Sequence, residues 1–339
     1  MSLRFGIVPA HGPAHLAEAI EHVRLAREYG LDAIWIEEHH DAGAYWPTPL
    51  LAIAALAPHL GPLSIGTAIL ILPLHDPVHV AEQGAILDQM TGGKLTFGFG
   101  LGDDEAEFAL FRVPAKQRGG RALEQIAIIR ELWQGKPVTF DGRFYQLDNA
   151  LLRTLPLQPG GPPIWIGGWG PRQLERAATI GDAWLPGPVG TFSDIRDRQS
   201  VYDEHVRTAG GDPFTRPRPL IRDVVVAGSD AAAWELASRC VLAAYRATYV
   251  ESDHVLVGHE TSGGTIMDDR ALAADRLIVG SPDTVAEQLA ACISRLRATE
   301  LVIRLKLPGL DPGQMTEMLH LLGRSVLPEL RKTATGEAT

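Results

Sequence analysis

Short runs of apolar and β-branched residues alternate along the chain with longer stretches in which apolar residues recur at helical spacing. The first run, residues 3–8, is followed by a segment that places Leu16, Ile20 and Val23 on one face and ends at Gly30. A glycine directly after such an apolar stripe is typical of a helix C-terminus. The pattern therefore predicts parallel strands joined by crossover helices.

Eight segments have the length and apolar character of strands, and helical segments separate them. They are residues 3–8, 32–36, 63–72, 94–100, 164–167, 182–185, 220–227 and 300–305. Because no linker or break in composition divides the series, we expect an α/β fold with a single closed (β/α)8 TIM barrel over residues 1–330. Residues 135–161 and 249–275 interrupt the rhythm and are interpreted as insertions. Residues 331–339 are interpreted as a flexible tail.

The composition limits the classes of partner. The chain has 339 residues, 45% of them hydrophobic, and a formal net charge of −10 without any run of Lys or Arg, so we expect neither a nucleic-acid nor a membrane partner. Cys240 and Cys292 are far apart and are interpreted as buried thiols. The N-terminal residues do not resemble a signal peptide, and no apolar run reaches membrane-spanning length. We expect a soluble, cytoplasmic protein that acts on a small neutral or cationic molecule.

In a barrel of this kind, functional side chains lie where strands run into the loops at their carboxyl ends. The second strand ends in Trp-Ile-Glu-Glu-His-His at residues 35–40, with four titratable side chains in a row. Alternation along a strand turns Glu38 and His40 to one side and Glu37 and His39 to the other. One histidine can then face the barrel mouth and exchange a proton near neutral pH. The alternative is a solvated acidic loop.

A metal site is a rival interpretation, because imidazole is a common zinc ligand and six histidines lie near strand ends. They are His11, His15, His39, His40, His75 and His79. Two pairs have i, i+4 spacing, but each begins in a loop close to a proline, so neither pair lies on one secure helix. We therefore expect no metal site.

The end of the fifth strand is rich in glycine. Residues 167–170 read Gly-Gly-Trp-Gly and run directly into a helix with Pro171 in its first turn. The backbone amides of such a junction and the positive end of the helix favour a phosphate group. A tight turn alone explains the glycines equally well.

The end of the fourth strand has glycine at alternate positions, Gly98, Gly100 and Gly102. This spacing lets a flat ligand or another stretch of main chain approach closely. Four acidic residues follow, and each suits either a solvated lid or a catalytic carboxylate. They are Asp103, Asp104, Glu105 and Glu107.

Together these motifs resemble those of the flavin-dependent luciferase-like monooxygenase family, and the resemblance extends over residues 3–330. Residues 30–40 resemble the family's second-strand signature, and residues 66–69 its third-strand motif. Residues 87–95 resemble the stretch that enters the fourth strand, and residues 163–172 resemble the segment beside the cofactor phosphate.

The resemblance implies the roles of individual residues. It places His39 at the flavin ring and implies that His39 and Glu38 are the catalytic residues. It also implies a cis peptide bond between Ala68 and Ile69, beneath the ring. The residues implied to contact the cofactor are Thr67, Ala68, Ile69, Gly100, Leu101, Gly167, Gly168, Trp169, Gly170 and Arg172.

The chain departs from the family pattern at three places. Leu101 stands where luciferases have an arginine, which removes one ionic contact to a flavin phosphate. Residues 169–170 stand where many relatives have a serine, so the phosphate would depend on backbone amides and on another cation, such as Arg172 or Arg304. Asp41 replaces an aromatic residue, which implies a different substrate wall.

Two cofactors occur in the family, FMN and the 8-hydroxy-5-deazaflavin coenzyme. Members that use the deazaflavin tend to carry Ser-Asp-His at the second strand, whereas residues 38–40 resemble the FMN branch. The resemblance therefore implies a two-component monooxygenase that uses reduced FMN and oxygen on a small organic substrate.

No nicotinamide fingerprint is visible in the sequence, so a separate flavin reductase is expected to supply the reduced FMN. The resemblance also implies a homodimer that pairs through the helices after the second and third strands. Two alternatives stay open: a deazaflavin-dependent reductase or dehydrogenase, and a flavin-binding protein without turnover.

Overall fold

The computed structural model describes residues 3–40, 45–246, 268–305, 307 and 309–335. The strands within this part of the chain are β1 Arg4–Val8, β2 Ala33–Ile36, β3 Ser64–Thr67, β4 Leu70–Ile71, β5 Leu95–Gly100, β6 Val138–Asp141, β7 Gln146–Ala150, β8 Ile164–Gly167, β9 Ala183–Leu185, β10 Pro219–Val226, β11 Leu277–Gly280 and β12 Glu300–Arg304. All eight predicted strands are confirmed. The third is divided into β3 and β4, and the peptide bond between Ala68 and Ile69 in the gap is cis, as the resemblance implied.

The α-helices of the same residues follow the strands in the expected order. They are α1 Leu16–Glu28, α2 Pro49–Leu56, α3 Pro77–Met90, α4 Glu105–Leu110, α5 Arg118–Leu132, α6 Pro171–Thr179, α7 Phe192–Thr208, α8 Asp230–Leu236, α9 Ala243–Tyr245, α10 Asp269–Ala273, α11 Pro282–Leu296, α12 Pro312–Leu321 and α13 Leu327–Thr335. Where the structure describes the chain, none of its helices combines the length and the apolar character that a membrane span requires.

The main sheet is parallel and strongly curled. Its hydrogen-bonded order is β11-β10-β12-β1-β2-β3-β5-β8-β9, with β4 also paired to β5. The expected complete TIM barrel is therefore found only as a curled sheet, because no ladder joins β9 to β10 in the described part of the chain. Residues of these two strands do approach within 8 Å, Cα to Cα. However, β9 has only three residues, and β11 occupies one edge of β10 along Asp223–Val226.

Several elements differ from the sequence-based expectation. β11 was not predicted, and neither was the short helix α4, which forms inside the connection expected to be irregular. The first insertion contains an antiparallel hairpin, β6 with β7. Most of the second, residues 249–267, lies outside the described residues. The last helix continues to Thr335, five residues beyond the expected domain boundary.

Alternation along the strands divides the core into two layers. In β2, Ala33 and Trp35 turn into the curl of the sheet, whereas Ile34 and Ile36 turn outward against the helices. A large outer cluster packs between the sheet and its helices. The small inner cluster consists of Val8, Ala33, Trp35, Ala68, Trp165, Ala183, Leu185, Ile221 and Val302.

The inner layer contains an acidic residue at its amino-terminal end. Trp35 stacks on Trp165 with ring centroids 4.8 Å apart, and its ring fits because Gly6 and Gly66 on the flanking strands have no side chains. The indole Nε1 of Trp35 donates a hydrogen bond to Glu300 Oε1 at 3.1 Å. Burial raises the pKa of the Glu300 carboxyl to about 7, although Arg4 and the Trp35 hydrogen bond act in the opposite direction.

This raised pKa predicts how stability depends on pH. Between about pH 4.5 and 7 the folded chain keeps the Glu300 proton while the unfolded chain has released it, so the free energy of unfolding falls as the pH rises. In Glu300→Gln the amide still accepts from Trp35 and cannot ionise. We expect the variant to be more stable than the wild type at about pH 8, by up to about 3 kcal/mol, and nearly equal at about pH 4.

Urea unfolding of both proteins across this range measures the difference. A stability difference that stays constant with pH would contradict the assignment of the buried proton to Glu300.

Candidate active site

A cavity of about 550 Å³ opens at the carboxyl ends of the parallel strands, within the usual size range of small-molecule sites. Of the residues predicted to form the site, nine line this cavity: Glu38, His39, Ala68, Ile69, Gly100, Leu101, Gly167, Gly168 and Trp169. Thr67, Gly170 and Arg172 do not line it. Thr67 is buried, where its hydroxyl donates to the Gly98 carbonyl and accepts from the Gly98 amide. Gly170 and Arg172 are exposed.

Glu38 is buried at the end of β2 and receives hydrogen bonds from three segments. Its Oε1 lies 3.0 Å from His40 Nε2 and 2.7 Å from His75 Nε2, and its Oε2 accepts from the Ile71 backbone amide. Burial favours the neutral carboxyl, but these hydrogen bonds outweigh it and lower the pKa of Glu38. Glu38 is therefore an ionised anchor that ties β2 to β4 and to the segment before α3.

His39 lies on the opposite side of β2 and is paired with Glu107. Its Nδ1 is 3.3 Å from Glu107 Oε1, and the same oxygen accepts the backbone amide of His40 at 2.7 Å. Glu107 comes from α4 and is buried, which alone would raise its pKa, but the contacts with His39 and His40 lower it. A carboxylate on Nδ1 fixes the tautomer of the imidazole and increases its basicity.

Sequence reasoning singled out Glu107 only as one of four acidic residues after the fourth strand. The available signal was its last position in the sequence Asp-Asp-Glu-Ala-Glu, in which Asp104 caps α4 through the Ala106 amide. That cap starts the helix, and the helix then turns Glu107 inward while Glu105 remains exposed.

Glycine backbone and one branched side chain form another part of the cavity wall. A Cβ on Gly100 would lie 2.4 Å from Ile69 Cδ1, and one on Gly167 would lie 3.3 Å from Ile69 Cγ2. Ile69 therefore fills the space that side chains at both glycines would need. Gly168 has a φ of 127°, in the region that favours glycine. The result is a smooth, uncharged surface.

The turn after β8 is fixed by its own carbonyl groups. The Gly167 carbonyl accepts from Gln173 Nε2 at 3.2 Å, and the Gly168 carbonyl accepts from Trp184 Nε1 at 2.8 Å. The ring of Trp169 lies against Gly190, where an added Cβ would come within 2.3 Å of it. Its other neighbour is Arg198, whose guanidinium carbon is 5.5 Å from the ring centroid. The turn thus has a defined shape before any ligand binds.

The other side of the cavity is charged. Arg304 forms a two-bond pair with Asp223 and a third bond, from Nη1 to Glu37 Oε1, at 3.2 Å. Tyr245 also donates its hydroxyl to Asp223. These four residues come from β10, β12, the end of β2 and α9. Arg304 was considered from the sequence as a phosphate ligand, but both carboxylates already engage its guanidinium.

Arg118 is a second cation in the cavity wall, and it was not identified from the sequence. It lies at the start of α5, 6.0 Å from the centroid of the Phe108 ring. Its backbone amide donates to the Ala115 carbonyl, but among the described residues its guanidinium has neither an ion pair nor a hydrogen bond. Sequence reasoning had no signal for it, because it lies 17 residues beyond Leu101 in a segment without a recognisable motif.

The anchor role of Glu38 predicts a large effect of its removal on stability. In Glu38→Ala, one buried and two partly buried donors lose their acceptor, and we expect the free energy of unfolding at neutral pH to fall by about 3 kcal/mol. Because the pKa of Glu38 is lowered, its contribution exists above about pH 4.5 and is lost in acid, so the two proteins should converge there.

Chemical denaturation measures both effects, with Glu82→Ala on the exposed face of α3 as the control. The control should change stability by no more than about 0.5 kcal/mol. Equal losses in the two variants would show that Glu38 is not an anchor.

The comparison with known proteins agrees with this architecture. The chain is similar to the F420-dependent glucose-6-phosphate dehydrogenase of Nakamurella multipartita, at 31% identity over 194 residues, 54% of this chain and 56% of that protein. It is also similar to the oxygenase component of the flavin-dependent trigonelline monooxygenase of Acinetobacter baylyi, at 33% identity over 168 residues, 48% of this chain and 46% of that protein. Each match spans about half the length of the relative.

Among solved structures, the monooxygenase RslO1 from Streptomyces bottropensis has a similar fold, with a TM-score of 0.82 at 22% identity over 97% of this chain and 99% of that one. The family described as luciferase-like monooxygenase matches residues 2–300. Since this match covers most of the sequence, the chain belongs to the luciferase-like monooxygenase family.

Proposed function

We propose that the protein is an FMN-dependent oxidoreductase, a two-component monooxygenase that uses reduced FMN and oxygen on a small organic substrate. The observation that carries the proposal is that His39, held by Glu107, lines the same cavity as the smooth wall of Ile69, Gly100 and Gly167. A flat, apolar slot with one oriented imidazole is the arrangement that a flavin ring and a proton-transfer step require.

The residues present fit a flavin. The smooth wall accepts the face of an aromatic tricycle because Gly100 and Gly167 leave no side chain beside Ile69. The turn at residues 167–170 leads into the amino-terminal end of α6, which favours the terminal phosphate. We infer that Ala68, Ile69 and this turn hold the cofactor.

The choice of FMN over a deazaflavin coenzyme rests on charge. The coenzyme F420 carries a long acidic tail, whereas FMN ends in a single phosphate. Among the described residues of the cavity, Arg304 is already paired with two carboxylates, which leaves Arg118 as the available guanidinium. One available guanidinium suits the single phosphate of FMN better than the long acidic tail of F420. Similarity to an F420-dependent dehydrogenase makes a deazaflavin-dependent dehydrogenase the second candidate.

We assign the proton handling to His39 and its positioning to Glu107. Reduced FMN, when bound, supplies the electrons that activate oxygen. Glu107 holds Nδ1 of His39, so the imidazole keeps one tautomer and exchanges a proton at its other nitrogen. Glu38 acts through His40, His75 and β4 to fix the end of the strand that carries His39. A separate flavin reductase supplies the reduced FMN, because no dinucleotide fingerprint follows a strand in this sequence.

Stopped-flow mixing of the protein and reduced FMN with oxygen tests this assignment. We expect the rate constant for reoxidation of the bound flavin, followed by its absorbance, to fall about 100-fold in His39→Ala because the proton donor is lost. Glu107→Gln should fall less and should shift the pH profile, because the imidazole loses its charged partner. Glu105→Gln, an exposed residue of the same helix, is the control and should match the wild type.

Two outcomes would contradict the proposal. If His39→Ala reacts at the wild-type rate, His39 does not handle the proton. If the protein binds coenzyme F420 tightly and FMN weakly in fluorescence titrations, F420 is the cofactor. A deazaflavin does not activate oxygen, so the protein would then be a dehydrogenase and not a monooxygenase.

We further propose a homodimer through α2 and α3. Leu51, Ile86 and Met90 on these adjacent helices are 68%, 48% and 49% exposed, which is unusual for large apolar side chains unless a partner covers them. We expect light scattering to give twice the chain mass of 36.7 kDa for the wild type and a single chain mass for Leu51→Asp combined with Ile86→Asp. A monomeric wild type would contradict the proposal; Leu110→Asp, at another exposed apolar residue, is the control.

A further inference from the structure

The charged side of the cavity has more carboxylates than cations. Glu37, Asp223 and Arg304 form one buried cluster, with exposures of 6% for Glu37 and 0% for Asp223. Arg304 donates to both carboxylates, and Tyr245 adds a neutral donor to Asp223. With all three charged groups ionised, the cluster has a net charge of −1.

The excess negative charge lies at Glu37. Both oxygens of Asp223 accept hydrogen bonds, but Glu37 accepts only through Oε1. Its Oε2 is buried and has no hydrogen-bond partner in the part of the chain that the structure describes. A buried carboxylate oxygen without a donor is unfavourable, so this atom favours a ligand that brings a donor, and most of all a positively charged one.

Among the residues that the structure describes, a range that excludes Lys306 near Arg304 in the sequence, no other cation compensates the cluster. Arg222, the neighbour of Asp223 on β10, points to the other face of the sheet and donates to the Pro188 carbonyl. Arg118 lies at the start of α5, at the rim beside Leu101 and Asp103. Asp103 and Asp104 at the same rim add further negative charge, with Asp104 engaged as the helix cap.

The position of Glu37 separates it from the proposed cofactor wall. Glu37, Asp223 and Arg304 belong to the β10-β12-β1-β2 half of the sheet, whereas Ile69, Gly100 and Gly167 belong to the β3-β5-β8 half. His39 comes shortly after β2, a strand of the charged half, and its side chain lines the cavity. A molecule between the two halves would contact both the smooth wall and Glu37.

We propose that the substrate of this site is a small organic cation with an N–H donor, such as a protonated amine, and that Glu37 binds its charged group. This inference rests on the proposed function, because only an enzyme has a substrate. Binding of the cation can nevertheless be measured without turnover. Glu37 is a specificity-determining residue in this scheme: its carboxylate lines the cavity and turns toward the cation, which offsets the excess negative charge of the cluster and supplies the missing donor.

Matched probes of equal size test the proposal by calorimetry at neutral pH, on the protein with and without bound FMN. The pairs are benzylamine with benzyl alcohol, and phenethylamine with phenethyl alcohol; only the amines are cationic. We expect at least one amine to bind about tenfold more tightly than its alcohol, the size expected for a hydrogen bond to a charged group. In Glu37→Gln this preference should disappear, while the alcohols bind unchanged.

Asp103→Asn is the matched control, because it removes one negative charge at the rim without changing the cluster. It should keep the preference for the amine. The proposal is overturned if no amine binds more tightly than its alcohol, or if Glu37→Gln and Asp103→Asn reduce the preference equally. FMN affinity is measured on the same samples. If the proposed function is wrong, FMN does not bind; if the cation proposal is wrong, the amines bind no more tightly than the alcohols.

Discussion

The carboxylate of Glu38 is the interaction on which the geometry of the cavity depends. It holds two imidazoles and a backbone amide that come from β2, β4 and the segment before α3. An ionised group is tolerated at a fully buried position only because these donors replace the water that it loses. Since His40 is held on one side, the preceding His39 must face the other, where Glu107 reaches it.

The side-chain alternation at the end of β2 could be predicted from the sequence, and the reason is local. A strand has a period of two residues, so neighbours in Glu37-Glu38-His39-His40 turn to opposite sides. The structure agrees in that Glu38 bonds to His40, whereas His39 turns away from them to Glu107, although Glu37, Glu38 and His39 all line the cavity. The eight strands could be predicted for the same reason, because each carries its own pattern of apolar residues.

Features that depend on distant pairs could not be predicted. Glu107 meets His39 across 68 residues, and Arg304 meets Glu37 across 267, and no spacing in the sequence encodes either contact. Closure of the barrel also depends on a distant pair, β9 with β10; the sheet is curled as expected, but complete closure is not confirmed. Arg172 was expected at the phosphate from its place beside the glycines, but α6 is amphipathic and turns this residue to solvent.

The same alternation explains why the charged cluster is confined to the mouth. On β12, Glu300, Val302 and Arg304 face the interior at successive steps of two residues, so one strand has an acid at the floor, an apolar residue in the middle and a cation at the mouth. The middle layer, with Trp35 and Ile221, excludes water between the two ends. Because this layer has a low dielectric constant, charges at the mouth are weakly screened from below, and the negative charge that Arg304 leaves uncompensated there acts strongly on any ligand above it.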